Sequence, residues 1–133
     1  MRQAILPDAL KEAAAATGFS PAIRAGAFLF LTGATGGRPD GTMPKSAADQ
    51  TRIALGKAQT VLAAAGADET AVVEMTSYHL DIATTFAPVQ AALEDIFTPP
   101  LPAWTAVEVA GLRRRGALVE FRLVAHAPEA RAS

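Results

Sequence analysis

Two stretches of helical spacing, set between runs that read as strands, constrain this chain more than any other feature. From Ser46 to Ala65, the residues Ala47, Ala54, Ala58, Val61, Leu62 and Ala65 fall on one stripe, with Asp49, Arg52 and Lys57 turned away. Gly66 follows, at the position where a helix end favours positive φ. Because the stripe is mostly alanine, this helix can approach its partner surface closely. From about Thr85 to Phe97 a second stripe carries Phe86, Val89, Leu93, Ile96 and Phe97. Thr84 or Thr85 is the expected cap, and Pro88 then lies in the first turn, where a missing N–H costs little.

The runs between these helices read as strands. Ala22 to Arg24 and Ala27 to Thr32 form a hairpin about Ala25-Gly26, and Ala71 to Asp81 is rich in Val, Thr and Tyr. Residues Gly33 to Gly41 hold four glycines, Pro39 and Asp40, and form a loop. Thr98 to Pro102 is a stiff connector after the second helix. Two last strands, Ala103 to Gly111 and Gly116 to Ala127, flank Arg113, Arg114 and Arg115 at an expected hairpin turn. A short helix over Pro7 to Ala16 precedes everything, and residues 128–133 read as a frayed tail. The order ββαβαββ predicts an α+β domain with two helices covering one face of the sheet. The other face, with Leu118 and Val124 among its candidates, must meet solvent or another subunit, which favours an oligomer.

At 133 residues the chain is one domain, and a net charge of −1 gives no attraction to nucleic acid or an anionic membrane. There is no cysteine, which excludes disulfides, thiolate metal sites and a cysteine nucleophile. Pro7, Asp8, Lys11 and Glu12 interrupt the apolar residues near the start, so no secretory leader is expected. Nor is there an uncharged apolar run of the roughly 18 residues a membrane span needs. A cytoplasmic protein is the expectation.

Few residues suggest chemistry by type alone. The glycines of 33–41 match neither a phosphate-binding loop nor a dinucleotide fingerprint, and no G-x-S-x-G is present. His79 and Asp81, two apart on a strand, would begin a metal site or an acid–base pair, yet no third ligand is in sight. A structural pair is therefore the simpler reading, and no metal or cofactor is expected. His126 reads as solvated, Arg24 as a solvated edge residue and the three arginines as a solvated loop. Glu120, flanked by Val119 and Phe121, is either a partly buried general acid/base or the partner of a nearby cation. Arg122 shares its strand face and reads as one side of an ion pair, with Glu120 or across to another strand.

A more specific signal lies in the order of several motifs. Gly18-Phe-Ser-Pro-Ala22 with Gly26 to Gly33, Gln50-Thr51 with Val61 to Gly66, Thr76 to Asp81, and Pro102-Ala-Trp-Thr-Ala-Val-Glu-Val-Ala-Gly-Leu112 with Val119-Glu120 resemble the RidA/YjgF family. The resemblance covers about 18–127, with 1–17 as an extension before the domain. It implies a chorismate-mutase-like fold with a six-stranded mixed sheet, a homotrimer, and pockets at the subunit interfaces. It also implies a small-metabolite ligand and hydrolysis of enamines or imines to ammonia and a 2-keto acid. Carried over by position, Glu120 is the catalytic carboxylate. Phe19, Thr32, Gly33, Gln90, Trp104, Thr105 and Ala106 line the substrate site.

One position departs from the family pattern. Trp104 stands where the family has an arginine that grips the substrate carboxylate through two charge-assisted hydrogen bonds. An indole offers one N–H and no charge. Trp104 therefore reads either as packing that fills the cavity or as a flat face for an aromatic or cationic ligand. Two functions remain open from the sequence: an imine hydrolase with altered specificity, and a binding or regulatory module without turnover. The ribonuclease activity sometimes attached to this family finds no support in the charge balance.

Overall fold

The computed structural model describes residues 2–129. Six strands form one mixed sheet: β1 (Gln3–Ile5), β2 (Ala22–Ala25), β3 (Phe28–Leu31), β4 (Val72–His79), β5 (Ala103–Glu108) and β6 (Val119–His126). The helices are α1 (Lys11–Thr17), α2 (Ala47–Ala64) and α3 (Ile82–Ile96). In space the strands run β1-β2-β3-β6-β4-β5. Neighbours are antiparallel except β4 and β5, which are parallel. Residues 130–133, the end of the expected tail, lie outside the described residues.

The α+β expectation holds, and α2 and α3 cover one face of the sheet. Leu29, Leu31, Met75, Phe121 and Leu123 meet Leu55, Ala58, Leu62, Val89 and Leu93 in the core. The alanine stripe of α2 is buried as anticipated at Ala47, Ala54 and Ala58. Ser46 caps α2 by accepting from the Asp49 N–H at 3.1 Å, and Gly66 takes a φ of 76° beyond the helix end. The sixth strand, β1, comes from the segment before Gly18 and pairs with β2.

Two expectations about elements need correction. α3 starts at Ile82, so Pro88 is inside the helix rather than in its first turn. The reason is a cap from another element. Asp81 turns the chain with a φ of 48°, and Glu108 on β5 accepts from the Ile82 N–H at 3.1 Å. Thr84 does serve this end, its hydroxyl donating to the Asp81 carbonyl at 3.0 Å. The second correction concerns β5 and β6, which do not form a hairpin, because β4 lies between them. α3 acts as the crossover that lets β5 return parallel to β4, and the Arg113–Arg115 loop then crosses back to β6.

Candidate functional site

Alternation along the strands leaves Phe28, Phe30, Thr76, Tyr78, Thr105, Val107, Glu120, Arg122 and Val124 on the face that no helix covers. At one end of this face the chain leaves β3 through Thr32–Thr35. Ala34 pairs with Phe121 through two backbone hydrogen bonds, of 2.8 and 2.9 Å. That bridge lays Gly33 directly against Glu120. A Cβ on residue 33 would stand 2.7 Å from Glu120 Oε2, so only glycine leaves the carboxylate its place.

The opposite wall is the Gly18–Pro21 loop. Thr32 fixes it twice: its hydroxyl donates to the Ser20 carbonyl at 2.5 Å, and its N–H donates to the Pro21 carbonyl at 3.0 Å. Phe19 is 55% exposed, which leaves its ring free to face a ligand. The Arg113 guanidinium lies 5.5 Å from that ring's centre, within cation–π range. Phe19, Thr32, Gly33, Thr35, Glu120 and Arg113–Arg115 line one open cavity of about 590 Å³. None of these three arginines has a carboxylate within 4.0 Å among the described residues. One carboxylate thus faces a cluster of unpaired guanidiniums, an arrangement that attracts an anion and offers a proton acceptor beside it.

The expected site residues fall into two groups. Phe19, Thr32, Gly33 and Glu120 come together, whereas Gln90, Trp104, Thr105 and Ala106 do not line that cavity. These four belong to the β5 edge and to α3. Thr105, the register partner of Thr76, is on the open face, while Trp104 and Ala106 share the helix-covered side with their partners Met75 and Ser77. The indole of Trp104 stacks on Phe86, with centroids 5.1 Å apart and planes 5° from parallel. Its N–H donates to Ser77 Oγ at 2.7 Å. Gln90 is exposed one turn beyond Phe86. Trp104 is therefore half-buried against Phe86 and held in one orientation by a hydrogen bond.

Other candidates are also placed. His79 is fully buried, its ring nitrogens 2.7 Å from Ser77 Oγ and 3.0 Å from Thr85 Oγ1. Burial pushes its pKa below the usual histidine value. Asp81 is outside the strand at the start of α3, so the two are not a ligand pair on one strand face. Arg24 is 7% exposed and donates to the Ala127 carbonyl, which corrects its reading as a solvated edge residue. Arg122 pairs across strands with Glu74 at 3.8 Å rather than with Glu120. His126 is exposed and meets Phe28 edge-on. Leu118, expected on the open face, is half-buried against the core. The arginine loop is the feature that the sequence reading undervalued, because only the crossover from β5 to β6 brings it beside Glu120.

The family model for Endoribonuclease L-PSP matches residues 9–127 of this chain. The chain belongs to this family, the RidA/YjgF group. It is 36% identical to the RutC family protein YjgH of Escherichia coli K12, over 96% of this chain and 97% of that protein. A solved structure of YjgH superposes with a TM-score of 0.85 at 35% identity, covering 97% of this chain and 98% of that one. Rv2704 of Mycobacterium tuberculosis, a YjgF/YER057c/UK114 member, gives 0.79 at 30% identity over 96% of this chain and 100% of its own. Among RidA/YjgF relatives of this similarity the matched span includes the segment before Gly18, which here supplies β1 and α1.

Proposed function

We propose that this chain binds a small anionic metabolite at the Glu120 cavity and hydrolyses a C=N bond there. The observation that carries the reading is Glu120 seated on Gly33 within reach of the arginine cluster at 113–115. In this scheme the guanidiniums hold a carboxylate, the role that an arginine at position 104 would otherwise take. Glu120 accepts a proton from water as the oxygen bonds to the imine carbon. That proton passes to nitrogen and gives a carbinolamine. Glu120 then takes the proton of the new hydroxyl and hands it to the amine as the C–N bond breaks, so ammonia leaves and a carbonyl product remains. General acid/base help of this kind is worth about 10²- to 10⁴-fold in rate.

Gln90, Trp104, Thr105 and Ala106 complete the pocket in this reading as the wall contributed by a neighbouring subunit of a homotrimer. The aromatic wall favours imines with bulky apolar substituents over the smallest imino acids.

The test is ammonia release from imino acids generated by an amino-acid oxidase. The protein is expected to accelerate release, Glu120→Gln to lose at least about 100-fold in kcat, and Arg113→Ala to raise KM. Trp104→Arg is expected to raise turnover of small imino acids, since it puts a guanidinium in the other wall. If no imine is turned over while small carboxylates still raise the melting temperature, the pocket is a binding or regulatory module and the hydrolase reading fails.

A further inference from the structure

α1 and α2 leave a second cavity, of about 250 Å³, over the helix-covered side of the sheet. The Gly33–Thr35 segment separates it from Glu120, since Glu120 and Phe121 point to opposite faces of β6. Its walls are mostly apolar, with Leu10 and Ala14 from the α1 side, Val61 from α2, and Leu31, Phe121 and Leu123 from the sheet. No Asp or Glu among the described residues lines it.

Thr17, Ser20, Thr32 and Thr35 add hydroxyls, and Lys57 is the one charged side chain of the lining among the described residues. Its ammonium donates to the Thr35 carbonyl at 2.7 Å, and its other two N–H bonds have no acceptor among the described residues. No carboxylate comes within 4.0 Å of it there either. Burial, and then the nearby Arg114 charge, lower its pKa from the usual lysine value. A lysine that only tethered a loop would reach the same carbonyl from solvent. This one stands at an apolar cavity, with donors to spare and a second cation beside it.

We propose that this cavity is a binding site for a monocarboxylate with a compact apolar tail, the carboxylate on Lys57 and the tail against Leu31, Val61, Phe121 and Leu123. Apolar cavities of about 150 Å³ take up benzene, so this volume suits a phenyl ring with a two- or three-carbon chain. The site shares Phe19, Thr32, Gly33 and Thr35 with the Glu120 cavity as a common wall. It differs from that cavity in the α1, α2 and Phe121 side of its lining and in the apolar character of its ligand.

The probe is 3-phenylpropionate, titrated calorimetrically into the full chain beside its uncharged analogue 3-phenylpropanol. The acid is expected to bind about 10- to 100-fold more tightly, as a charge-assisted hydrogen bond to a half-buried ammonium implies. Lys57→Met removes that difference, and Lys57→Arg keeps most of it. Ala14→Phe fills the cavity from α1 without touching the ammonium and abolishes binding of both compounds. Arg115→Ala, at a residue that lines only the Glu120 cavity, leaves the affinity for the acid unchanged, which separates the two sites. Absence of binding, equal affinity for acid and alcohol, or an acid preference that survives Lys57→Met overturns the proposal.

Discussion

The indole N–H of Trp104 can only donate, and the carbonyls of Leu80 and Asp81 can only accept, so the hydrogen-bond chain between them runs one way. Trp104 donates to Ser77, whose hydroxyl then donates to His79 Nε2. His79 Nδ1–H donates to Thr85, whose hydroxyl reaches the two carbonyls. That direction requires a neutral histidine with its proton on Nδ1. Protonation would put a second donor against Ser77 and leave the serine proton without an acceptor. Burial acts the same way and lowers the pKa from 6.5. The unfolded chain therefore takes up the proton first. Above the unfolded value His79 has no effect on the pH dependence of stability. Below it, stability falls until the pH reaches the lowered folded pKa. Urea unfolding of the wild type and His79→Gln between about pH 7.5 and 5.5 measures this, the wild-type advantage shrinking as pH drops. An advantage constant over that range rules out the network as drawn. The departure at Trp104 was legible in the sequence through its motif. Its partners were not, because Trp104 reaches Ser77 only when β5 pairs with β4, and Thr85 reaches His79 only when α3 folds back on β4.

Among the elements, α2 shows what local sequence can and cannot reveal. Its stripe, its serine cap and its glycine stop all lie within about twenty residues, so its position was readable from Ser46 to Gly66. Gln50 was readable only as part of a motif. Fully buried, it donates to the Pro44 and Gly116 carbonyls at 2.7 and 3.0 Å and accepts from the Leu118 N–H at 2.8 Å. One side chain thus ties the start of α2 to the loop entering β6. Gly36 packs on the Gln50 backbone so closely that a Cβ there would lie 2.4 Å from the Gln50 Cα. Gln50→Leu keeps a similar volume but leaves one N–H and two carbonyls without these partners. Buried unsatisfied groups cost about 1–3 kcal/mol each, so a loss of about 3 kcal/mol is expected in chemical denaturation. A loss below about 1 kcal/mol means that water replaces all three bonds. α3 and β5 were less legible for the same physical reason. The cap on Ile82 comes from Glu108, and the place of β5 is set by the edge of β4, both distant in sequence.

For the whole molecule, the asymmetry between the two sheet faces decides what it does with its surface. One face is covered by α2 and α3, while the other exposes Phe28 at 43% and Phe30 at 41%. Phe30 stands beside Ile23 on β2 and Val124 on β6, so the exposed aromatics continue into a half-buried apolar strip across three strands. Such a strip on a sheet face is more than isolated surface residues and is stabilised when another subunit covers it. The same face carries Thr105, which belongs to the group of site residues absent from the Glu120 cavity. Assembly and function are therefore linked in the proposed reading, because a pocket shared between subunits exists only in the oligomer. Phe30→Glu puts a charge in the strip, two residues from Thr32, without entering the core. Sedimentation equilibrium is expected to show three chain masses for the wild type. For the variant, association is expected to weaken at least about tenfold, or roughly 1.4 kcal/mol. Ammonia release by the variant should fall in proportion to the trimer lost and recover as protein concentration rises. Full activity from a monomeric variant would show instead that the Glu120 cavity with Arg113–Arg115 works alone, and that Gln90, Trp104, Thr105 and Ala106 have no part in it.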